Sequence, residues 1–192
     1  MSKVIANMSM SLDGFIADRG DGIDLLFGWM GNGDVEVPTA VEWATFRMSP
    51  ASAEYMREAM SRVGALIAGR HLYDITHGWG GRHPMGVPVV VVSHSTPDDA
   101  PAGFAFVPGI EEAVRVAAER AGDKDVVIAS AKIAQQALDA GLLDAIHVDQ
   151  VPVLLGEGVR WFENLTKAPV RLSNPTVVEG NGVTHLAYDV VR

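Results

Sequence analysis

At 192 residues the chain has the length of one domain with a full core, and no second domain is expected. With 48% hydrophobic and 20% charged residues it reads as an ordinary soluble globular protein, and no apolar run approaches the roughly 20 residues of a membrane span. A net charge of -9, with 15 lysines and arginines scattered along the chain and none interleaved with aromatics, argues against nucleic acid and anionic membrane surfaces as partners, and the absence of cysteine excludes disulfides, thiolate zinc sites and a cysteine nucleophile.

The N-terminal MSKVIANMSMSLDG lacks the long apolar segment and small-residue cleavage site of a signal peptide, so a cytoplasmic location is expected. Residues 3 to 10 read as a first strand, followed by the SLDG turn and FIAD. From Arg19 to Thr45 no period is sustained and Gly, Asp and Pro are frequent, which predicts a long surface excursion. A helix is expected from Ser49 or Pro50 to about Arg62, with Met56, Ala59, Met60 and Val63 on its apolar stripe. GALIAG then reads as a buried strand, RHLYDITHGW as the start of a helix, and GVPVVVVSHSTP as a strand ending in polar residues. FAFV is a short strand. The next helix, IEEAVRVAAERAG, has an acidic first turn that suits its dipole and ends at Gly122. DVVIA is a strand, SAKIAQQALDAG a helix closed by Gly141, and LLDAIHVDQVPVLLG a strand leading into a glycine-bearing loop. The chain closes as a hairpin with Asn181-Gly182 at its turn. Strands alternating with helices, then a hairpin, predict an α/β fold with helices on both faces of a mostly parallel mixed sheet and an antiparallel C-terminal edge.

In such a sheet ligands collect where strand C-terminal ends meet helix N-termini, because unpaired N–H groups and positive dipole ends point there. Three junctions fit: IAGRHLYD with Gly69, Arg70 and His71, VVSHST with Ser93 and His94, and the Ala129-Ser130-Ala131 turn. Each also has a plainer reading, as strand punctuation, a turn or an N-cap serine. In IHVDQVP, alternation places His147, Asp149 and Val151 on one face and Ile146, Val148 and Gln150 on the other. A mid-strand carboxylate is costly to bury unpaired, so Asp149 must face a polar pocket, a partner or an interface. The six histidines lack the close spacing of metal ligands on one helix or strand, so no metal is expected, and neither a G-x-S-x-G elbow nor a P-loop is present.

MSMSLDGFIA, AGRHLYD, VVVVSHSTP, VVIASAKIAQQAL, LLDAIHVDQVPVLLGEGVRWF and GVTHLAYDV occur in this order. In these motifs the chain resembles the dihydrofolate-reductase-like family, in particular the C-terminal reductase domain of riboflavin biosynthesis. The unmatched part is mainly residues 19 to 48. The resemblance implies a three-layer fold and an NADPH-dependent reductase of a small heterocyclic or carbonyl substrate. It places Ser9, Ile16 and Ala17 beside the nicotinamide, Gly69, Arg70, His71 and Leu72 at the pyrophosphate and adenosine phosphate, and Ser93 and His94 at the adenosine ribose and its 2'-phosphate. Ala129, Ser130, Ala131, Lys132 and Ile133 match the diglycine turn and helix start that cradle the pyrophosphate. Both glycines are replaced here, and a Cβ at each position is expected to cost about 1 to 3 kcal/mol if the turn keeps a left-handed or strained backbone; Ser130 and Lys132 offset part of that loss through a hydroxyl and a charge.

The resemblance makes Asp149 the first candidate acid or substrate anchor. Asp13 is a second, its simplest job being a turn cap, and Phe15 and Trp29 are candidate substrate contacts. Trp29 and Trp43 either cover the substrate as a lid or anchor their loop on the core. No acid matches the one that dihydrofolate reductases carry on the helix after the first loop, and the deaminase domain of the riboflavin enzymes, with its zinc ligands, is absent from this chain. A ligand-binding or regulatory protein on the same fold, with altered cofactor use, is the alternative. A homodimer is expected, through the C-terminal hairpin and the 148–155 strand.

Overall fold

The computed structural model describes residues 2–192. In chain order its elements are β1 (Val4–Ser11), β2 (Phe15–Ala17), α1 (Asp24–Phe27), β3 (Val35–Pro38), β4 (Thr45–Met48), α2 (Pro50–Arg62), β5 (Val63–Gly69) and α3 (Arg70–Ile75). There follow β6 (Val89–Val92), β7 (Phe104–Val107), α4 (Ile110–Ala121), β8 (Asp125–Ile128), α5 (Ala131–Asp139) and β9 (Ala145–Val151). The chain ends with β10 (Val159–Arg160), β11 (Arg171–Leu172), β12 (Thr176–Gly180) and β13 (Val183–Val191).

The main sheet runs β11-β13-β9-β1-β8-β5-β6-β7, with β12 paired to β13. From β9 to β7 every pairing is parallel, and β13 joins β9 antiparallel, so the α/β fold is a mixed sheet with an antiparallel C-terminal edge. The central strands are apolar on both faces because both are covered. Ala65, Ile67, Val90, Val126 and Ile128 meet α4 and α5 on one side. Their neighbours Leu66, Ala68, Val89, Val91 and Val127 pack with Tyr73 of α3 on the other. Farther along that second face, toward β9 and β13, α2 and the excursion after β2 form a third cluster around Leu26, Trp29, Val37, Met48 and Ala53.

Two expectations need correction. The 19–48 excursion is not devoid of structure: it holds α1, a short 3-10 turn and a β3–β4 hairpin, and it contributes buried side chains to the third cluster. Its apolar residues fall in short runs broken by Gly, Asp and Pro that sustain no period, yet tertiary packing orders them. The helix beginning at Arg70 also stops sooner than RHLYDITHGW suggests. It ends at Ile75, and the backbone turns left-handed from His77 through Gly81, with positive φ at His77 (48°) and Trp79 (50°) as well as at the three glycines. Gly78 has no room for a Cβ, since one there would press on the Tyr73 ring.

Candidate functional site

β8, β5 and β6 lie side by side and end together, so the turns after them share one cleft. Gly69 donates its N–H to Ser130 Oγ at 2.9 Å, which ties the first turn to the third. Arg70 reaches the second: its Nη1 lies 3.1 Å from Ser95 Oγ and 3.4 Å from Ser93 Oγ, while its Nε is held by Asp74 at 2.7 Å. The Ser93 hydroxyl donates to the Ser95 carbonyl at 2.7 Å, so the guanidinium and the Ser95 hydroxyl are the donors a phosphomonoester would meet there. Ser130 makes no side-chain cap to its own helix, so the first amides of α5 keep the unpaired N–H groups and positive dipole end that receive anions. Lys132 is exposed in that first turn, and Ala131 and Ile133 are buried beneath it. His94 is exposed beside the second turn, and Leu72 and Ala129 are half-buried against the α3 side of the sheet.

The expected strain at the replaced diglycine turn is not present. Ser130 is extended, with φ -153° and ψ 136°, and Ala129 is not among the residues with positive φ. Ordinary extended backbone accommodates both Cβ atoms, and the serine hydroxyl takes up a neighbouring amide. The cleft keeps its amide donors in an unstrained turn.

The first loop borders the same cleft. Ile16 and Ala17 are buried in β2, and Phe15 is buried with the Arg160 guanidinium 4.5 Å from its ring centroid. Asp13 caps two elements at once: Ser11 Oγ donates to it at 2.6 Å, and the amides of Leu155 and Gly156 donate at 3.1 and 2.7 Å. The Ser11 hydroxyl and those amides hold its carboxyl below the usual 3.8, so it stays ionised at neutral pH. Asp21 contacts His71 Nε2 at 2.9 Å, and Arg19 pairs with Glu157 at 2.7 Å, which lays the loop tip between α3 and the loop after β9.

Asp149 lies deeper, on the α2 side of the sheet, beside Ser9 of β1 and His185 of β13 in register. Only 3% exposed, it accepts from Asn7 Nδ2 at 3.2 Å and contacts His185 Nδ1 at 2.7 Å, while Ser52 Oγ lies 2.9 Å from His185 Nε2. The His185 ring stacks on Tyr55 at 4.2 Å and meets the edge of Trp29 at 5.0 Å, and Trp29 Nε1 donates to Ser9 Oγ at 3.0 Å. Ser9 is therefore buried under an indole. Trp29 is 2% exposed, whereas Trp43 is 65% exposed. Ser52, His185 and Asp149 form a Ser-His-Asp line, but all three are buried and a Cβ at Gly180 would collide with the Ser52 hydroxyl. Their facing atoms are committed to one another, so the line positions α2 against β13.

Several of these residues escape a reading of the sequence. Ser95 has a weak signal, standing two residues after Ser93. Ser52 lies on the helix after the first loop, where an acid was sought, and the nearby acid instead comes from β9. His185 meets Asp149 only through the antiparallel β9–β13 register.

A sequence model described as the RibD C-terminal domain matches residues 2–179. The chain belongs to that family. No curated protein matches the sequence closely enough to count. Among solved structures, a Shewanella sp. PV-4 protein assigned to riboflavin biosynthesis superposes with a TM-score of 0.71 at 23% identity, over 99% of both chains. Dihydrofolate reductase from Enterococcus faecalis, complexed with NADP(H) and RAB-propyl, gives 0.60 at 15% identity over 99% of this chain and 97% of that one. The Thermotoga maritima deaminase/reductase gives 0.61 at 14% identity, and this chain spans 57% of it. These likenesses bear on the fold, and the family match supports a reductase-type function.

Proposed function

We propose that the chain is an NADPH-dependent reductase that transfers hydride to a small heterocyclic or carbonyl substrate. The observation that carries this reading is Arg70 Nη1 within 3.1 to 3.4 Å of the Ser95 and Ser93 hydroxyls, one strand away from the uncapped start of α5. The first cluster suits the 2'-phosphate and the second the pyrophosphate, and the Gly69–Ser130 bond fixes the turns between them. Bound there, the cofactor supplies the hydride. The uncapped α5 amides would hold its phosphates, β2 would wall the cleft with apolar side chains that exclude water, and Asp13 keeps the loop after β9 in place. Asp13 is a poor proton source because its carboxyl is held ionised, and Asp149 has both oxygens committed within the fold.

Titration of the purified protein with NADPH, followed by cofactor fluorescence, tests the reading. Saturable micromolar binding is expected. Arg70→Ala removes a charge-assisted contact worth about 1.5 to 3 kcal/mol, so it should weaken NADPH about tenfold to a hundredfold and NADH much less. Equal losses for the two cofactors would remove Arg70 from the 2'-phosphate. No binding of either at millimolar concentration would leave the ligand-binding or regulatory alternative. A homodimer through the C-terminal hairpin, which exposes Leu172, Val177 and Val191, belongs to the same reading and is checked by light scattering.

A further inference from the structure

A cavity of about 350 Å³ lies between the second half of α2 and the sheet, walled by Tyr55, Glu58 and Ala59 above and by Ile5, His147 and Ala187 below. Its size falls within the usual range for small-ligand sites. It opens at the end of the sheet away from the cleft. Asp125, on its rim, starts β8, and Ala129 of the cleft follows the other end of that strand, four residues or about 13 Å away.

Two ion pairs close the rim, Lys3 with Asp189 at 2.7 Å and Arg62 with Asp125 at 3.1 Å, and they use both cations that line the cavity. Five polar side chains on its lining remain without a hydrogen-bond or ion-pair partner among the described residues: the Tyr55, Thr176 and Tyr188 hydroxyls, the Glu58 carboxylate and the His147 ring. Burial, reinforced by the charges of Asp149 and Glu58, raises the Tyr55 hydroxyl above its ordinary range, and burial lowers His147. Both are neutral at pH 7, so the hydroxyl donates and the imidazole offers one donor and one acceptor. Glu58 is the one uncompensated charge on the wall. An anion entering here would face the unpaired Glu58 carboxylate, whereas a cation would meet that carboxylate, an imidazole acceptor and the apolar surfaces of Ile5, Ala59 and Ala187.

We propose that this cavity is a second ligand site, separate from the dinucleotide cleft, for a small organic cation of the amidine or amine class. Glu58 pairs with the cationic N–H groups and His147 accepts one of them, while the ligand's apolar body rests on the aliphatic floor. The deep wall is formed by Tyr55 and the His185 ring on which it stacks, the latter tied to Asp149.

The test is calorimetric titration of the full chain with benzamidine, with benzamide as its uncharged isostere and benzoate as an anionic control. Benzamidine should bind saturably at one site, at least about tenfold tighter than either control, and Glu58→Gln should weaken it by about the same factor. Glu58 is solvent-exposed, so that variant should keep its fold, and unchanged circular dichroism checks this. NMR of the wild-type chain should show benzamidine shifting the His147 and Tyr55 resonances without moving those of Gly69 and Ser130. Binding should persist in saturating NADPH, and it should occur whether or not NADPH binds. Lack of saturable binding at millimolar benzamidine, equal affinity for benzamide, indifference to Glu58→Gln, or displacement by NADPH would each overturn the proposal.

Discussion

The two polar regions of this molecule use the same residue types for opposite purposes. At the C-terminal ends of β5, β6 and β8, Arg70, Ser93, Ser95 and Ser130 sit at the surface, and the amides at the start of α5 have no side-chain cap. Under α2, Asp149, His185 and Ser52 are sealed, and each polar atom facing its neighbour has found a partner. The first arrangement leaves the amides at the start of α5 uncapped for an incoming anion. The second is saturated from within, and its donors and acceptors hold a helix on a sheet. A serine, a histidine and an aspartate at hydrogen-bonding distance are therefore not enough to make a nucleophile, since access decides.

That contrast is sharpest when one partner is removed from each region. Asp149→Ala leaves His185 Nδ1 without a partner in the interior and should destabilise the fold by about 1 to 3 kcal/mol, read from the urea midpoint. NADPH affinity in whatever fraction stays folded should change far less. A variant with unaltered stability but no cofactor binding would transfer Asp149 to the ligand site. Ser130→Ala, in the open region, deletes one neutral hydrogen bond to Gly69. It should cost about 1 kcal/mol of stability, read as a smaller fall in the urea midpoint, and loosen the tie between the two turns. Asp13→Asn addresses the rim between the two. Its folded carboxyl titrates below the ordinary 3.8, so its contribution to stability is present above that value and is lost as pH falls through the lower folded value. The asparagine variant should flatten the acid limb of a melting-temperature profile below about pH 4 and alter the neutral limb only slightly. An unchanged acid limb would mean that the Leu155 and Gly156 amides do not depend on the charge.

Much of the cleft was legible because its parts are local. Gly69-Arg70, Ser93 and Ala129-Ser130 each stand where an apolar run gives way to a helix or a polar turn, and a parallel sheet brings such turns to the same end. The backbone of the diglycine-like turn was not legible. Replacing glycine suggested strain, yet the chain takes an extended path and Ser130 finds the Gly69 amide across two strands. The buried line was half legible: alternation put Asp149 and His147 on one face, but the partner of Asp149 comes from 36 residues later. The excursion after β2 was least legible, because Trp29, Val37 and Met48 share a cluster that exists only after the hairpin folds back on α2.

By itself the sequence determined the order of the main strands and helices outside the 19–48 excursion, the parallel middle with its hairpin edge, and the strand ends that carry the candidate cofactor contacts, because these follow from periodicity, caps and turn residues acting over a few positions. Tertiary structure alone decided which polar residues are sealed and which stay open, where Trp29 and Trp43 part company, and that a cavity with an unpaired glutamate opens at the far end from the cleft. Those outcomes depend on register and on distances between segments remote in the chain, and no local pattern encodes them.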